Sequence, residues 1–341
     1  MMNVLRALMA VLVVACPFSA AVQGAGTDNA FGGRRVLLIG IDGCRPDALR
    51  KLVENGRASN LRSLVEGGTV TWNAYAGGKQ GEDSEQDTSS GPGWSTILTG
   101  VWKDRHGVRD NKFRFHRIAQ WPHWMRRIRE HAPKAWLGSF CDWPEIHDYI
   151  VAASRSGAES FLDVEFLTTT KDATGKHVDY VKCDAEINQR AIEELRTANP
   201  DVMFVYYGNV DETGHGVAHK EGRFSPENEP YLAALAQVDG LVGELLTAVK
   251  ARPKYAEENW LVLATTDHGG IDTKHGGQTP EERTIWMIAS GGNVRRGVVV
   301  EKVVPQTAVA PTVFRHLGIP NKPEWGWEAE AFGDIDRGAA R

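Results

Sequence analysis

Three short apolar runs, each ended or closely followed by an aspartate, constrain the fold of this 341-residue chain most strongly. The runs are Arg35–Asp42, Asp201–Tyr207 and Trp260–Thr265. Runs of this length are typical of strands that are buried on both faces of a parallel sheet. In an open α/β sheet the carboxyl ends of such strands meet at one edge. We therefore expect Asp42, Asp211 and Asp267 to lie close together.

Segments with helical periodicity separate these strands. The strongest helix is predicted at 230–251, where apolar residues recur every three or four positions. Other helices are predicted at Pro46–Asn55, 60–64, 92–99, Asp184–Arg196 (with Asp184 as its cap) and 307–317, and other strands at 70–75, 135–141 and 284–289. The alternation predicts an α/β fold, a three-layer sandwich with a mainly parallel central sheet flanked by helices.

The chain shows no linker that divides it into two domains. With 42% hydrophobic residues it can bury one large core. We therefore predict a single catalytic domain over residues 30–335, with a small cap or insertion within 143–177. No stretch after the N-terminal segment is long and apolar enough for a transmembrane helix.

Residues 1–25 have the features of a secretory signal peptide: an early arginine, a short apolar run and then small residues. The protein is therefore expected to be exported, to the periplasm or the extracellular space. A lipid anchor on Cys16 is the alternative, although Pro17 directly after it disfavours lipidation. In an exported protein one disulfide can form among Cys44, Cys141 and Cys183, and Cys141–Cys183 is the favoured pair. Three buried thiols are the other interpretation, and Cys44 is expected to point into the core.

The net charge of −5 argues against a nucleic-acid-binding surface, so a small-molecule substrate is the expected partner; the sequence does not predict an oligomeric state. Metal ligands are the main chemical signal. Asp211 and His215 are one helical turn apart and can reach the same ion. Asp267 and His268 are adjacent, and the two glycines after them permit a turn that brings both together.

Either motif alone is more often a surface pair or an ordinary turn. Three such clusters, each after an apolar strand, together with His275, offer too many ligands for one closed site. Carboxylates combined with imidazoles suit zinc, and manganese or iron less specifically. We therefore predict two divalent metal ions, with zinc favoured, in the arrangement that supports in-line phosphoryl displacement.

The ordered set of motifs resembles the alkaline phosphatase superfamily, most closely its nucleotide pyrophosphatase/phosphodiesterase branch. The resemblance covers most of the chain and rests on Ile39–Gly43, Ser90–Gly100, His106–Asn111, Asp211–His215, Val238–Gly243 and Asp267–Gly269. It implies an alkaline phosphatase-like fold. It also implies one zinc held by Asp42, Asp267, His268 and the Ser90 oxygen, and a second held by Asp211, His215 and His275. His275 departs from this branch, in which the last histidine lies much further downstream.

The same resemblance implies that Ser90 is the nucleophile, although many relatives carry threonine there; Ser89 and Thr88 are the alternatives. Asn111 occupies the position of an amide that binds a phosphate oxygen. The expected activity is metal-dependent hydrolysis of phosphodiester or pyrophosphate bonds through a phosphoserine. The alternatives are a phosphomonoesterase, a phosphonate or sulfate ester hydrolase of the superfamily, or an inactive metal-binding relative. A sulfatase is disfavoured because Trp94 stands where that branch has arginine.

Three aromatic residues near the motifs, Trp94, Trp143 and Tyr207, are predicted to line the substrate pocket. Such side chains can stack on a nucleobase or hold a choline cation. The alternative is that most of the eleven tryptophans belong to the core.

Overall fold

The computed structural model describes residues 30–169 and 179–333. The strands within these residues are β1 (Arg34–Ile41), β2 (Gly68–Tyr75), β3 (Leu137–Cys141), β4 (Val164–Leu167), β5 (Val202–Tyr207), β6 (Asn259–Thr265), β7 (Thr284–Gly291), β8 (Val298–Val299) and β9 (Val304–Pro305). The helices are α1 (Pro46–Glu54), α2 (Ser59–Glu66), α3 (Ser90–Thr99), α4 (Lys103–His106), α5 (Trp124–His131), α6 (Ala152–Ser154), α7 (Tyr180–Thr197), α8 (Asn209–Gly214), α9 (Glu229–Lys250), α10 (Pro280–Arg283) and α11 (Val309–Leu317). A π-helical segment, Ile146–Val151, precedes α6.

The strands form one sheet in the order β4-β3-β5-β1-β6-β7-β2-β8, with β9 paired to β2. Strands β4, β3, β5, β1 and β6 are parallel to one another, and β7 runs antiparallel to both β6 and β2. Strands β5, β1 and β6, which precede the predicted metal motifs, are therefore immediate neighbours. The predicted mainly parallel sheet is confirmed.

Two hydrophobic clusters, one on each face of the sheet, give the fold its three layers. Along β1 the side chains alternate between them: Val36 and Leu38 belong to the cluster that contains α3 and α11, whereas Leu37 and Ile39 belong to the cluster that contains α1, α2, α7 and α9. Because both faces of β1 are covered, its side chains are almost all apolar. This is the physical reason for the apolar run in the sequence.

Most predicted elements match the observed ones within a few residues, but α7 differs. It begins at Tyr180, and its cap is Asp179, whose side chain accepts a hydrogen bond from the backbone N–H of Lys182. The predicted cap, Asp184, lies inside the helix and accepts from the N–H of Gly208 at 3.0 Å. The expected cap was wrong because a helix interior seldom buries an aspartate, so the sequence pattern favoured a terminus there.

The three described cysteines are buried and none is disulfide-bonded, so the Cys141–Cys183 disulfide does not form and the alternative of three thiols holds. Cys44 is fully buried in an apolar cluster, as expected. Strand β4, within the predicted cap or insertion, pairs with β3 at the sheet edge. Residues 170–177 of that segment, and the predicted signal peptide with Cys16, lie outside the described residues.

The sequence-based expectation that no stretch after the N-terminal segment is long and apolar enough to cross a membrane was wrong for α9, which meets that test by length and composition and is the one such helix of the described residues. This is weak support for a span, because much of the helix is buried inside the protein. Its apolar face, including Leu235, Val238, Val242 and Leu245, packs in the core cluster on one face of the sheet.

Candidate metal centre

Six of the seven predicted protein ligands, the carboxylates and imidazoles, meet at the carboxyl ends of three neighbouring strands. Asp42 follows β1 directly, and Asp267 and His268 follow β6. The short helix α8 after β5 carries Asp211, with His215 at its end. His275 approaches from the loop between β6 and α10. The strand order thus brings together residues that are up to 233 positions apart in the chain, counting from Asp42 to His275.

Asp42 is held by two aromatic side chains through one of its oxygens. The indole N–H of Trp94 and the hydroxyl of Tyr206 donate to Asp42 Oδ2 at 2.8 and 2.6 Å. The other oxygen, Oδ1, is buried without a hydrogen-bond partner and lies 3.4 Å from His268 Nε2. Trp94 and Tyr206 therefore orient Asp42 and leave one oxygen available to a ligand.

Asp267 and Asp211 repeat this pattern. Asp267 Oδ1 accepts from the N–H of Gly43, while its Oδ2 is buried without a hydrogen-bond partner, 3.2 Å from His268 Nε2. Asp211 Oδ1 is likewise unpartnered and lies 3.8 Å from His275 Nε2. Buried carboxylate oxygens without a donor are costly unless a cation compensates them.

The three histidines share one orientation. Each places Nδ1 against a backbone carbonyl: His215 against Thr273 at 2.9 Å, His268 against Gly269 at 2.8 Å, and His275 against Thr88 at 3.0 Å. A carbonyl only accepts, so Nδ1 must carry the proton and Nε2 presents its lone pair to the site. Metal-binding histidines are usually fixed in this way.

The pKa values reflect an excess of negative charge. Burial raises the pKa of the Asp42 carboxyl, and the neighbouring Asp211 raises it further. Burial and then Asp42 hold the pKa of Asp267 well above its usual range. For Asp211 burial acts in the same direction, but the hydrogen bond with His215 and the nearby imidazoles outweigh it and lower the pKa to about 2. A bound divalent cation would neutralise this group of carboxylates.

The residues fit two divalent ions. The possible ligand atoms form two sets, and within each set all atoms lie within 4.8 Å of one another. One set comes from Asp42, Asp267 and His268, and the other from Asp211, His268 and His275. His215 Nε2 adds a further imidazole 3.4 Å from Asp211 Oδ2. His268 is near both sets, whereas the sequence-based prediction gave it to the first ion alone. Mixed carboxylate and imidazole donors suit zinc.

Ser90 is the first residue of α3 and lies beside this cluster. Its Oγ is 3.4 Å from His268 Nε2. Asn111 is adjacent: its side-chain oxygen accepts from the N–H of Gly91 at 2.7 Å, which leaves its amide group to act as a donor. Thr88, an alternative nucleophile, instead uses its hydroxyl to hold the His275 loop, because it donates to Gly277 and accepts from Gly276.

Gly43 explains how the chain turns away from the centre. Its φ is +61°, in the left-handed region that favours glycine. A Cβ at this position would lie 2.3 Å from Asp211 Oδ1, so any other residue would displace that ligand.

A cavity of about 150 Å³ opens beside Ser90 and contains the predicted pocket residue Trp143. The other two aromatic predictions are wrong. Trp94 is fully buried under Asp42, and Tyr207 is buried in the opposite layer, where its hydroxyl donates to Asn188. Residues of the cavity wall that the sequence reasoning missed are Asp142, Tyr180, Tyr206 and Glu212. The position of Asp142 directly after a strand was an available signal.

Comparison with known proteins gives one family match. The model of a family described as type I phosphodiesterase/nucleotide pyrophosphatase matches residues 36–288. Among curated proteins, GPI ethanolamine phosphate transferase 3 from Schizosaccharomyces pombe is 28% identical over 145 residues. That match covers 40% of this chain and only 14% of the relative, so the chain corresponds to a small part of that protein.

Solved structures show the same fold. A 2-O GAG sulfatase aligns with a TM-score of 0.63 at 15% identity, covering 87% of this chain and 73% of that one. A phosphonate monoester hydrolase from Silicibacter pomeroyi aligns with a TM-score of 0.60 at 16% identity, covering 88% and 76%. At these identities the similarity concerns the fold alone.

Proposed function

The chain belongs to the type I phosphodiesterase/nucleotide pyrophosphatase family, and from this premise we propose that it hydrolyses phosphodiester or pyrophosphate bonds of small molecules through a phosphoserine on Ser90. One observation carries the proposal. The Ser90 hydroxyl lies at a helix start, 3.4 Å from His268 in the cluster with three buried carboxylates, each of which keeps one oxygen without a hydrogen-bond partner. A hydrolase of phosphate or sulfate esters is the coarser statement that the family supports.

Ser90, the N-terminal end of α3 and Asn111 have separate roles in this reaction. Ser90 Oγ forms the bond to phosphorus, and the bond from phosphorus to the leaving oxygen breaks. The N-terminal end of α3 favours negative charge at this position. The amide of Asn111 donates to a non-bridging phosphate oxygen. Water then hydrolyses the phosphoserine and restores Ser90.

Asp42, Asp267, His268, Asp211, His215 and His275 would hold two divalent ions, for which zinc is favoured. When bound, such ions act as Lewis acids that stabilise charge on the attacking and leaving oxygens.

The test is the Ser90→Ala variant, assayed with bis-p-nitrophenyl phosphate. We expect kcat to fall by more than about 10³-fold while the metal content per chain is unchanged. Ser90→Thr is the matched control and should keep much of the activity, because a hydroxyl remains. Near-normal turnover by Ser90→Ala would overturn the assignment, and an inactive wild-type protein with full metal content would favour a binding role.

Two related activities, transfer to an alcohol and hydrolysis of other esters, have to be distinguished from phosphodiester hydrolysis. Transfer to an alcohol instead of water is favoured by the match to a protein named as an ethanolamine phosphate transferase. Alcohol acceptors added to the assay would then yield a new diester as well as the hydrolysis product. A phosphomonoesterase or a phosphonate or sulfate ester hydrolase would instead prefer its own ester in a panel with nucleotide diesters and glycerophosphodiesters, and such a preference would overturn our choice.

We further propose that residues 1–25 direct export and are removed. Mass spectrometry of the native protein would give the mature N-terminus, which we expect near residue 25. A chain that retains Met1, or one that begins at an acylated Cys16, would contradict this proposal.

A further inference from the structure

The side of the protein that carries the metal centre also carries most of the exposed large apolar side chains among the described residues. There are eight such side chains, and five of them lie on segments next to the cavity beside Ser90: Phe115, Tyr149, Val181, Val217 and Ile271. The other three lie elsewhere. Tyr255 comes just before β6, at the amino end of the sheet, and Val299 and Val303 lie at the sheet edge formed by β8 and β9.

Each of the five is at most six positions along the chain from a residue that lines the cavity. In chain order, the cavity residues concerned are Asn111, Trp143, Tyr180, His215 and His275. These segments are far apart in the sequence, and the sheet brings them together at the edge where its parallel strands end. The five exposed side chains, which we call the apolar rim, therefore surround the entrance to the candidate site.

Phe115 is the most prominent member of the apolar rim, with a side chain that is 93% exposed. Its φ is +60°, and that of Phe113 is +52°, in a region that bulky residues seldom adopt because it is strained. The loop is nevertheless well anchored. The ring of Phe113 stacks on Tyr149 with 4.7 Å between centroids, and the N–H of Arg117 donates to the carbonyl of His106 at 2.7 Å. The fold thus holds Phe115 out in solvent at a conformational cost.

The loop that carries Phe115 is basic, although the chain as a whole has a net charge of −5. Residues 109–117 contain four basic side chains and one acidic side chain. Arg109, Lys112 and Arg114 are exposed, and the structure gives them no ion pair within the described residues. The other rim segments, 146–151, 179–182, 216–223 and 270–274, together contain four basic and four acidic side chains, so the positive excess comes from the Phe115 loop.

This combination fits a membrane surface better than a protein partner. Aromatic and apolar side chains enter the headgroup region of a bilayer, and nearby lysine and arginine side chains attract anionic lipids. A protein interface usually has a contiguous apolar core instead. Each rim segment exposes only one large apolar side chain, and the loop with the most exposed one is also the most basic.

We propose that the apolar rim docks this protein on membranes that contain anionic lipid. Phe115 enters the headgroup layer, and the basic side chains of residues 109–117 lie against the lipid phosphates. The cavity beside Ser90 then opens towards the membrane surface. This inference goes beyond the proposed function and does not depend on it, because docking requires no turnover.

Cosedimentation of the mature protein with vesicles tests the proposal. One set of vesicles contains phosphatidylglycerol mixed with phosphatidylcholine, and the other contains phosphatidylcholine alone. We expect binding to the anionic vesicles to be at least about tenfold tighter. Phe115→Ser and the double variant Arg109→Gln/Arg114→Gln should each weaken it by about tenfold, whereas Phe115→Trp should retain it.

Matched controls come from the opposite end of the sheet. Tyr255→Ser removes an exposed aromatic ring, and Lys250→Gln/Lys254→Gln removes two exposed positive charges that have no ion pair within the described residues. Neither change should affect vesicle binding. Urea unfolding of all variants shows whether they are folded without relying on any activity.

Three outcomes would overturn the proposal: no binding to either kind of vesicle, equal binding to both, or equal losses in the rim variants and in the controls. Dimerisation in sedimentation equilibrium that Phe115→Ser abolishes, without vesicle binding, would overturn it in favour of a contact with a second copy of the chain. An inactive protein that binds anionic vesicles through Phe115 would refute the proposed hydrolysis and leave the docking surface supported.

Discussion

The two ends of the central sheet both bury charged side chains, but among the described residues only one end balances its buried carboxylates with guanidinium groups. At the amino ends of β1 and β6, Arg35 and Arg252 form ion pairs with Glu258 at 3.1 and 2.8 Å, and all three side chains are at most 7% exposed. At the carboxyl ends of the same strands, the charged partner of Asp42 and Asp267 is at most the imidazole of His268, at 3.4 and 3.2 Å, and each carboxylate keeps one buried oxygen without a hydrogen-bond partner.

This difference distinguishes a structural cluster from a ligand site. Burying a charge is expensive unless an opposite charge or several hydrogen bonds compensate it. At the amino end the chain supplies the compensation itself, and Trp260 adds an N–H bond to Glu258 at 2.8 Å. At the carboxyl end the compensation has to come from outside the chain. Substitutions at the two ends should therefore have opposite effects on activity and stability.

The largest effect is expected for Asp267→Asn at the carboxyl end. The asparagine oxygen can still accept from Gly43, but one metal ligand and one buried charge are removed. We expect kcat/KM for a diester to fall by more than about 10³-fold. The free energy of unfolding in the presence of a chelator should stay the same or increase, because an uncompensated charge is gone.

Urea unfolding with excess EDTA and steady-state kinetics measure the two quantities, with Glu54→Gln as a control for the loss of one negative charge. A loss of several kcal/mol of stability in EDTA would mean that Asp267 is already compensated within the chain.

At the amino end, Glu258→Gln should have the reverse profile. It leaves the buried guanidinium of Arg252 without its carboxylate and that of Arg35 with Asp201 alone, 3.8 Å away, so we expect a loss of about 3–5 kcal/mol in the free energy of unfolding. The activity of the folded fraction should not change, because the cluster lies at the opposite end of the sheet. Glu257→Gln is the matched control, since its side chain is exposed. A strong loss of kcat with an unchanged free energy of unfolding would mean that the amino-end cluster is not purely structural.

The pH dependence of this cluster has a definite sign. Burial alone would raise the pKa of Glu258, but hydrogen bonds from Arg252 and Trp260 lower it below its ordinary value. A carboxyl with a lowered folded-state pKa contributes stability above its unfolded pKa and loses it as the pH falls through the folded value. The destabilisation by Glu258→Gln should therefore shrink on acidification below the ordinary pKa of glutamate.

A smaller effect is expected for Trp94→Phe. The substitution keeps an aromatic ring in the core but removes the N–H bond to Asp42, and losing a bond that orients a metal ligand typically costs about 10–100-fold in metal affinity. Trp124→Phe is the matched control: Trp124 is equally buried in the same cluster, but its N–H donates to the carbonyl of Ile97 at 3.2 Å. Competitive titration with a zinc chelator measures the affinities, and equal values for the two variants would contradict the role of Trp94.

The sequence correctly predicted those parts of the molecule in which a local pattern is compatible with only one structure. An apolar run buried on both faces, ending in a ligand, predicted β1, β5 and β6 and placed Asp42, Asp211 and Asp267 at one edge. His215, one helical turn after Asp211, and His268, adjacent to Asp267, were predicted from their spacing in the sequence. The direction of β7 was not predictable, because an apolar strand has the same pattern whether it runs parallel or antiparallel to its neighbour.

Other features depend on contacts that no local pattern contains. Thr88 holds His275 across 187 positions of chain, and Asp142 lines the cavity because β3 lies beside β5. The prediction that Tyr207 lines the pocket failed for a related reason, since Tyr206 lines the cavity instead. Both are aromatic and both are buried, so the alternation that normally tells the two faces of a strand apart is absent there.

Substitutions of these adjacent tyrosines are expected to have the smallest effects, and they test whether only the face of β5 towards the site affects metal binding. Tyr207→Phe removes the hydrogen bond to Asn188 on the face away from the site, and should cost about 1 kcal/mol of stability with no change in KM or metal affinity. Tyr206→Phe removes the bond to Asp42 on the other face and should weaken metal binding instead. Urea unfolding and zinc titration of both variants measure the two effects. A change in KM with Tyr207→Phe, or normal metal affinity with Tyr206→Phe, would mean that the site does not depend on which face of β5 each tyrosine occupies.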